Sequence, residues 1–132
     1  MGEKKRPKIY VVNRSTHDYS AAERYGELVY VTEGYQKHFA TGQHTRLWLK
    51  ALADSSPDDF IITSSINTLC TIGGGLFAAM HGRLNLLLWR NGSYIKREIH
   101  FGEALTAAKV TPMWAVPLLE EYVKKAKEER ND

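Results

Sequence analysis

The 132-residue chain has one cysteine, no apolar run near the roughly 20 residues that a membrane span needs, and neither common glycine-rich phosphate fingerprint. Each shortage excludes something. A lone Cys70 cannot close an intramolecular disulfide, and among small and apolar neighbours it reads as a buried free thiol in a reducing compartment rather than a catalytic one. The opening stretch Met1–Lys8 is basic and lacks the apolar core of a secretory signal, so a cytoplasmic protein with no membrane partner is expected. The absence of a Walker loop, and of Gly-x-Gly-x-x-Gly after a strand, removes the two commonest nucleotide-binding signatures. Gly73, Gly74 and Gly75 do not replace them. His38, His44, His81 and His100 show no metal-ligand spacing with one another or with Cys70, so neither metal nor cofactor is expected. A formal charge of +3 is mild: it permits anionic ligands without calling for polymeric nucleic acid.

What is present is a succession of β-branched and helical segments. Lys8–Asn13 and Glu27–Thr32 read as strands, linked by a short helix in which Ser20 and Glu23 have capping-box spacing and Gly26 suits a helix C′ position. A helix over Gln43–Ala53 follows, then a strand over Asp59–Thr63 running into a helix over Ile66–His81. The three glycines inside that helix each cost about 1 kcal/mol relative to alanine, which points to close packing on the sheet or on a second copy. Arg83–Trp89 and Tyr94–Ile99 flank Asn91-Gly92, the signature of a two-residue hairpin. Gly102–Lys109 and a solvent-facing helix over Pro117–Glu129, with Glu120/Lys124 and Glu121/Lys125 at ion-pair spacing, complete the chain. The order predicts a single α/β domain over residues 1–132, with a flexible basic start at 1–7. Its three layers would hold a mostly parallel sheet with an antiparallel hairpin edge.

In open α/β sheets ligands bind beyond the carboxyl ends of the strands. The residues found there are Asn13, Arg14, Ser15, Thr16, His17 and Asp18 after the first strand, Thr32, Glu33, Gly34 and Tyr35 after the second, Thr63, Ser64, Ser65 and Asn67 after the third, and Trp89 and Arg90 after the fourth. Hydroxyls, amides and arginines suit phosphate, carboxylates suit ribose hydroxyls, and aromatics suit a base. Ser64, Ser65 and Asn67 can equally cap the helix that follows them. His17-Asp18 allows an acid–base pair, although adjacent side chains seldom face each other and Asp18 also suits a turn before Ser20.

The segments Ile9–Ser20, Tyr25–Gly34 and Asn85–Trp89 together resemble the phage-encoded Thoeris anti-defence sponge family, whose members sequester cyclic ADP-ribose isomers made by host TIR-domain immune proteins. The resemblance covers most of residues 9–99. It implies an α/β homo-oligomer, a dimer or in some members a hexamer, acting in the host cytoplasm and holding its ligand without cleaving it. It also implies, in some members, a second site between subunits for cyclic di- or trinucleotides. Two other functions fit the residues: a hydrolase of such nucleotides, with His17 and Asp18 or Glu33 as acid and base, and an oligomeric protein–protein inhibitor that takes no small ligand.

Overall fold

The computed structural model describes residues 5–64, 66–112, 121 and 124–129. Two compact units divide at His100, and each is described by itself. The first holds the sheet: β1 (Lys8–Arg14), β2 (Glu27–Glu33), β3 (Phe60–Ile62), β4 (Arg83–Arg90) and β5 (Ser93–His100), with α1 (Thr41–Leu52) and α2 (Asn67–His81). A 3₁₀ helix, Ser20–Arg24, joins β1 to β2.

The strands lie in the order β2-β1-β3-β4-β5. The first four are mutually parallel, and β5 pairs antiparallel with β4. The expected mostly parallel sheet with a hairpin edge is what the chain forms. The turn is the two-residue kind: Arg90 pairs with Ser93, and Asn91 and Gly92 take φ of 50° and 85°, the left-handed pair such a hairpin needs.

Crossovers between parallel strands are right-handed, so the direction of each step decides which face its helix covers. The chain steps one way from β1 to β2, then back past β1 to β3 and on to β4. The 3₁₀ helix therefore covers one face, and α1 and α2 cover the other. The two cores follow this division. Tyr10, Val12 and Ile61 pack with Trp48 and Leu52 of α1 and Leu69 and Phe77 of α2. Ile9, Val11, Ile62 and Leu87 pack with Tyr19, Ala22 and Tyr94 on the opposite face.

Trp48 sets the spacing of the two large helices. Its indole N–H donates to the Leu69 carbonyl at 2.7 Å, and its ring fills the space that Gly73 leaves. Of the three glycines expected to pack closely, only Gly73 is pressed in this way: Gly74 has Leu84 at ordinary contact distance, and Gly75 faces open space.

The amino edge of the sheet is bolted by polar groups. Buried Asp59 accepts the Lys8 and Ser56 amides at 2.9 and 2.8 Å and the Tyr10 hydroxyl at 3.3 Å. Asn85 donates to the Pro57 and Asp59 carbonyls, and its own oxygen accepts the Arg83 guanidinium. Buried polar groups this well satisfied hold the fold and leave nothing free for a ligand.

Several local expectations are corrected. Ser20 and Glu23 form no capping box: Tyr19 is the N-cap residue, with no side-chain cap bond, and Asp18 accepts the Ser20 amide at 2.8 Å. Gly26 serves close approach rather than a helix end, since a Cβ there would collide with the Pro7 carbonyl. Helix α1 starts two residues earlier than expected, and β3 is trimmed to three residues.

The second unit contains α3 (Phe101–Ala107), within the expected Gly102–Lys109 segment. Residues 124–129 are helical, and Glu121 pairs with Lys125 at 3.6 Å. Pro117 and the Glu120/Lys124 pair lie wholly or partly outside the described residues.

Candidate functional site

A strand order that reverses about β1 opens a crevice at the carboxyl ends of β1 and β3, where the two outgoing connections leave to opposite faces. A pocket of about 300 Å³ occupies it. Ser15, His17 and Tyr19 of the segment after β1 form one wall; Ile62, Thr63 and Ser64 at the end of β3 form the floor; Trp89 and Tyr94 of the hairpin close the far side. Ser15, His17, Thr63, Ser64 and Trp89 are thus five expected residues that the fold brings together.

The aromatic side is preformed. Trp89 meets Tyr94 edge-on, with ring centroids 4.9 Å apart, and is itself 53% exposed, so one indole face remains available. Tyr94 is buried, its carbonyl accepts the Tyr25 hydroxyl at 3.1 Å, and burial raises its phenol pKa, so it enters the pocket as a neutral donor. His17 rests against Tyr19 at 4.9 Å. The His17-Asp18 pair is not assembled as an acid–base dyad. The Asp18 carboxylate is turned to the Ser20 amide, and that bond chiefly lowers its pKa.

The third strand's turn does not end in a side-chain cap. Ile66 occupies the N-cap position of α2 and makes no side-chain cap bond. Ser64 instead donates its amide to Cys70 Sγ at 3.4 Å, leaving its hydroxyl at the pocket wall. The Cys70 thiol is half-buried and burial pushes its pKa up, which makes it a packing group rather than a nucleophile. Ser65 lies outside the described residues.

Other expected residues are engaged elsewhere. Asn13 donates to the Gly34 carbonyl at 3.0 Å and accepts from Thr32 at 2.8 Å. Arg14 lies over the Tyr30 ring at 4.3 Å and reaches Glu33 at 3.7 Å. These three hold the β1 and β2 ends together outside the pocket. Thr16 is exposed and Arg90 sits at the hairpin tip, neither in the pocket wall. Tyr35 and Asn67 line a different hollow on the α1/α2 face.

Residue patterns alone omitted Tyr19 and Tyr94 from the candidate site. A signal for Tyr94 was present: a two-residue Asn91-Gly92 turn forces Trp89 to pair with residue 94.

Among the described residues no cluster of histidine, cysteine or carboxylate groups could hold a metal ion, and no helix is long and apolar enough to cross a membrane. Neither a curated protein nor a solved structure matches the chain. One family model does, over residues 7–101, which spans every strand of the sheet and the whole pocket. The chain therefore belongs to the phage Pam3 gp32-like protein family.

Proposed function

We propose that the chain is a non-catalytic sponge that binds and sequesters a small cyclic nucleotide of the cyclic ADP-ribose class. The lining of the β1/β3 pocket carries this reading. Hydroxyl and imidazole donors from Ser15, His17, Thr63 and Ser64 stand opposite an exposed indole face backed by Tyr94. Phosphate oxygens take the first set, and an adenine ring takes the second. The resemblance of residues 9–20, 25–34 and 85–89 to the Thoeris anti-defence sponges supports the same ligand class.

Holding fits this wall better than cutting. The carboxylate beside His17 is committed to the Ser20 amide, and Glu33 is engaged with Arg14 at the β2 end. A hydrolase would need one of them turned toward a bound ligand. At about 300 Å³ the pocket sits at the lower end of ligand sites, about 300–1,000 Å³. A base and one phosphate fill it, and the rest of a cyclic ADP-ribose projects over the rim. A second copy of the chain would cover that remainder, in keeping with a dimer or a larger ring.

The test is recovery of intact ligand. The full chain is mixed with cyclic ADP-ribose isomers, the loss of free ligand is measured, the protein is heat-denatured, and the supernatant is analysed by mass spectrometry. Full return of unaltered ligand is expected. Linear product would establish a hydrolase, and no depletion of any isomer would remove the ligand class.

A further inference from the structure

The tyrosine hydroxyl bonds among the described residues are those of Tyr10, to Asp59 at 3.3 Å, and Tyr25, to the Tyr94 carbonyl at 3.1 Å. Tyr19 and Tyr94 make none. They are only 6% and 5% exposed, and phenols so deeply buried ordinarily find a partner. The two pack in one core cluster, and both line the β1/β3 pocket. Burial above all, with Tyr19 and Asp18 close by, raises the Tyr94 pKa, so that hydroxyl keeps its proton. A ligand oxygen in the pocket is the acceptor that both phenols lack.

The pocket is also short of positive charge. Among the described residues no lysine or arginine lines it. Cations on the strands around it are committed elsewhere: Arg14 to the Tyr30 ring and Glu33, and Lys96 to Glu98 at 3.4 Å and toward the Phe60 ring. Arg90 alternates to the face of β4 opposite Trp89. What faces the cavity is hydroxyl: Ser15, Tyr19, Thr63, Ser64 and Tyr94, with the His17 ring as the one basic group in the wall. Ser15 Oγ accepts the His17 amide at 3.2 Å, which leaves its own proton to donate.

Such a wall distinguishes one negative charge from two. Hydroxyl dipoles can replace the water around a singly charged phosphate, but a second charge would lose its water with no counter-ion, and near the Asp18 carboxylate. We infer that the Tyr19 and Tyr94 hydroxyls are the specificity-determining donors of this pocket, selecting a singly charged phosphodiester or pyrophosphate group over a doubly charged phosphate monoester. This selection rests on the phosphate-binding role proposed above and fixes which kind of phosphate the pocket takes. Nucleoside mono-, di- and triphosphates all end in a terminal phosphate of the second kind. The filter keeps those abundant nucleotides from occupying a site meant for a cyclised one.

The test compares adenosine 5′-monophosphate with its methyl ester, which share base and sugar and differ by one methyl group and one charge. Binding to the full chain is measured by calorimetry at about pH 8, where the monoester is close to fully dianionic. The ester is expected to bind about tenfold tighter than the monoester. Tyr19→Phe and Tyr94→Phe should each weaken ester binding about fivefold, with no fall in the unfolding midpoint, because neither hydroxyl has a partner in the fold to lose. Ser15→Arg, which sets a cation in the wall, should narrow the gap between the two probes. The selection is overturned if the monoester binds as tightly as its ester, if both phenylalanine variants bind the ester like the parent, or if neither probe binds. Indifference to cyclic ADP-ribose isomers alongside a preference for the ester would remove the sponge and leave the filter standing. Isomers bound alongside equal affinity for the two probes would do the reverse.

Discussion

Trp48 and Gly73 are fitted to each other: the indole of α1 lies where any side chain on residue 73 of α2 would have to go. Gly73→Ala is therefore an overpacking change and should destabilise the protein by about 1–3 kcal/mol in urea unfolding. Gly75→Ala, two residues on and facing open space, removes a flexible residue from a helix interior and should stabilise by about 0.5–1 kcal/mol. Opposite signs for two alanines in one helix would be hard to obtain from any other arrangement of α1 and α2.

The Asp59 carboxylate is the bolt of the amino edge. Asp59→Ala strands the Lys8 and Ser56 amides and the Tyr10 hydroxyl, and the expected loss is about 2–4 kcal/mol by chemical denaturation. The carboxyl-edge pocket lies at the other ends of the strands, so a stabilised background carrying Asp59→Ala should keep its ligand affinity.

Alkaline stability should follow the buried phenols. Burial, with Asp59 nearby, raises the Tyr10 pKa well above its ordinary 10.0, and burial also raises that of Tyr94. Above about pH 10 the unfolded chain releases phenolic protons that the folded chain keeps, so the unfolded state binds fewer protons and stability falls as pH rises. Below pH 10 both states hold those protons and this contribution is constant. Tyr10→Phe should cost about 1 kcal/mol at neutral pH through the lost bond to Asp59, and should flatten the decline between pH 10 and 11. An unchanged alkaline slope would place the titrating group elsewhere.

Trp89 is the residue whose removal should separate binding from folding. It is half-exposed and meets Tyr94 in a T-shaped contact, so Trp89→Ala should leave the unfolding midpoint nearly unchanged. Stacking of a base on an aromatic ring is worth about 1–3 kcal/mol, and cyclic ADP-ribose affinity should drop roughly 5- to 150-fold by calorimetry. Ser64→Trp, which fills the floor from the other side, should abolish it.

The alternation of strand and helix patterns was enough to read the layers and the mixed sheet, and Asn91-Gly92 was enough to read the hairpin, because these depend on local chemistry and the period of the chain. The site was only half legible for the same reason. A list of residues after each strand includes His17, Ser64 and Trp89, which converge, and also Asn13, Arg14 and Glu33, which are engaged by neighbours at the β1 and β2 ends, Asn13 with Gly34 and Thr32 and Arg14 with Glu33. Whether a polar group faces a ligand or a neighbour is a tertiary fact. His44 shows the limit most clearly: no spacing of histidines announces its burial with both nitrogens unpartnered among the described residues.

The place of β1 in the middle of the sheet also bears on how the chain is made. It leaves the ribosome first, yet its two edges are completed by residues 27–33 on one side and 60–62 on the other. β3 in turn waits for β4, which begins at Arg83. During synthesis β1 thus spends more than half of the sheet's translation with an open edge, and distant closures of this kind slow folding and expose the chain to mispairing. The hairpin that follows is the opposite case, two strands joined by two residues, and it can snap shut as soon as it emerges.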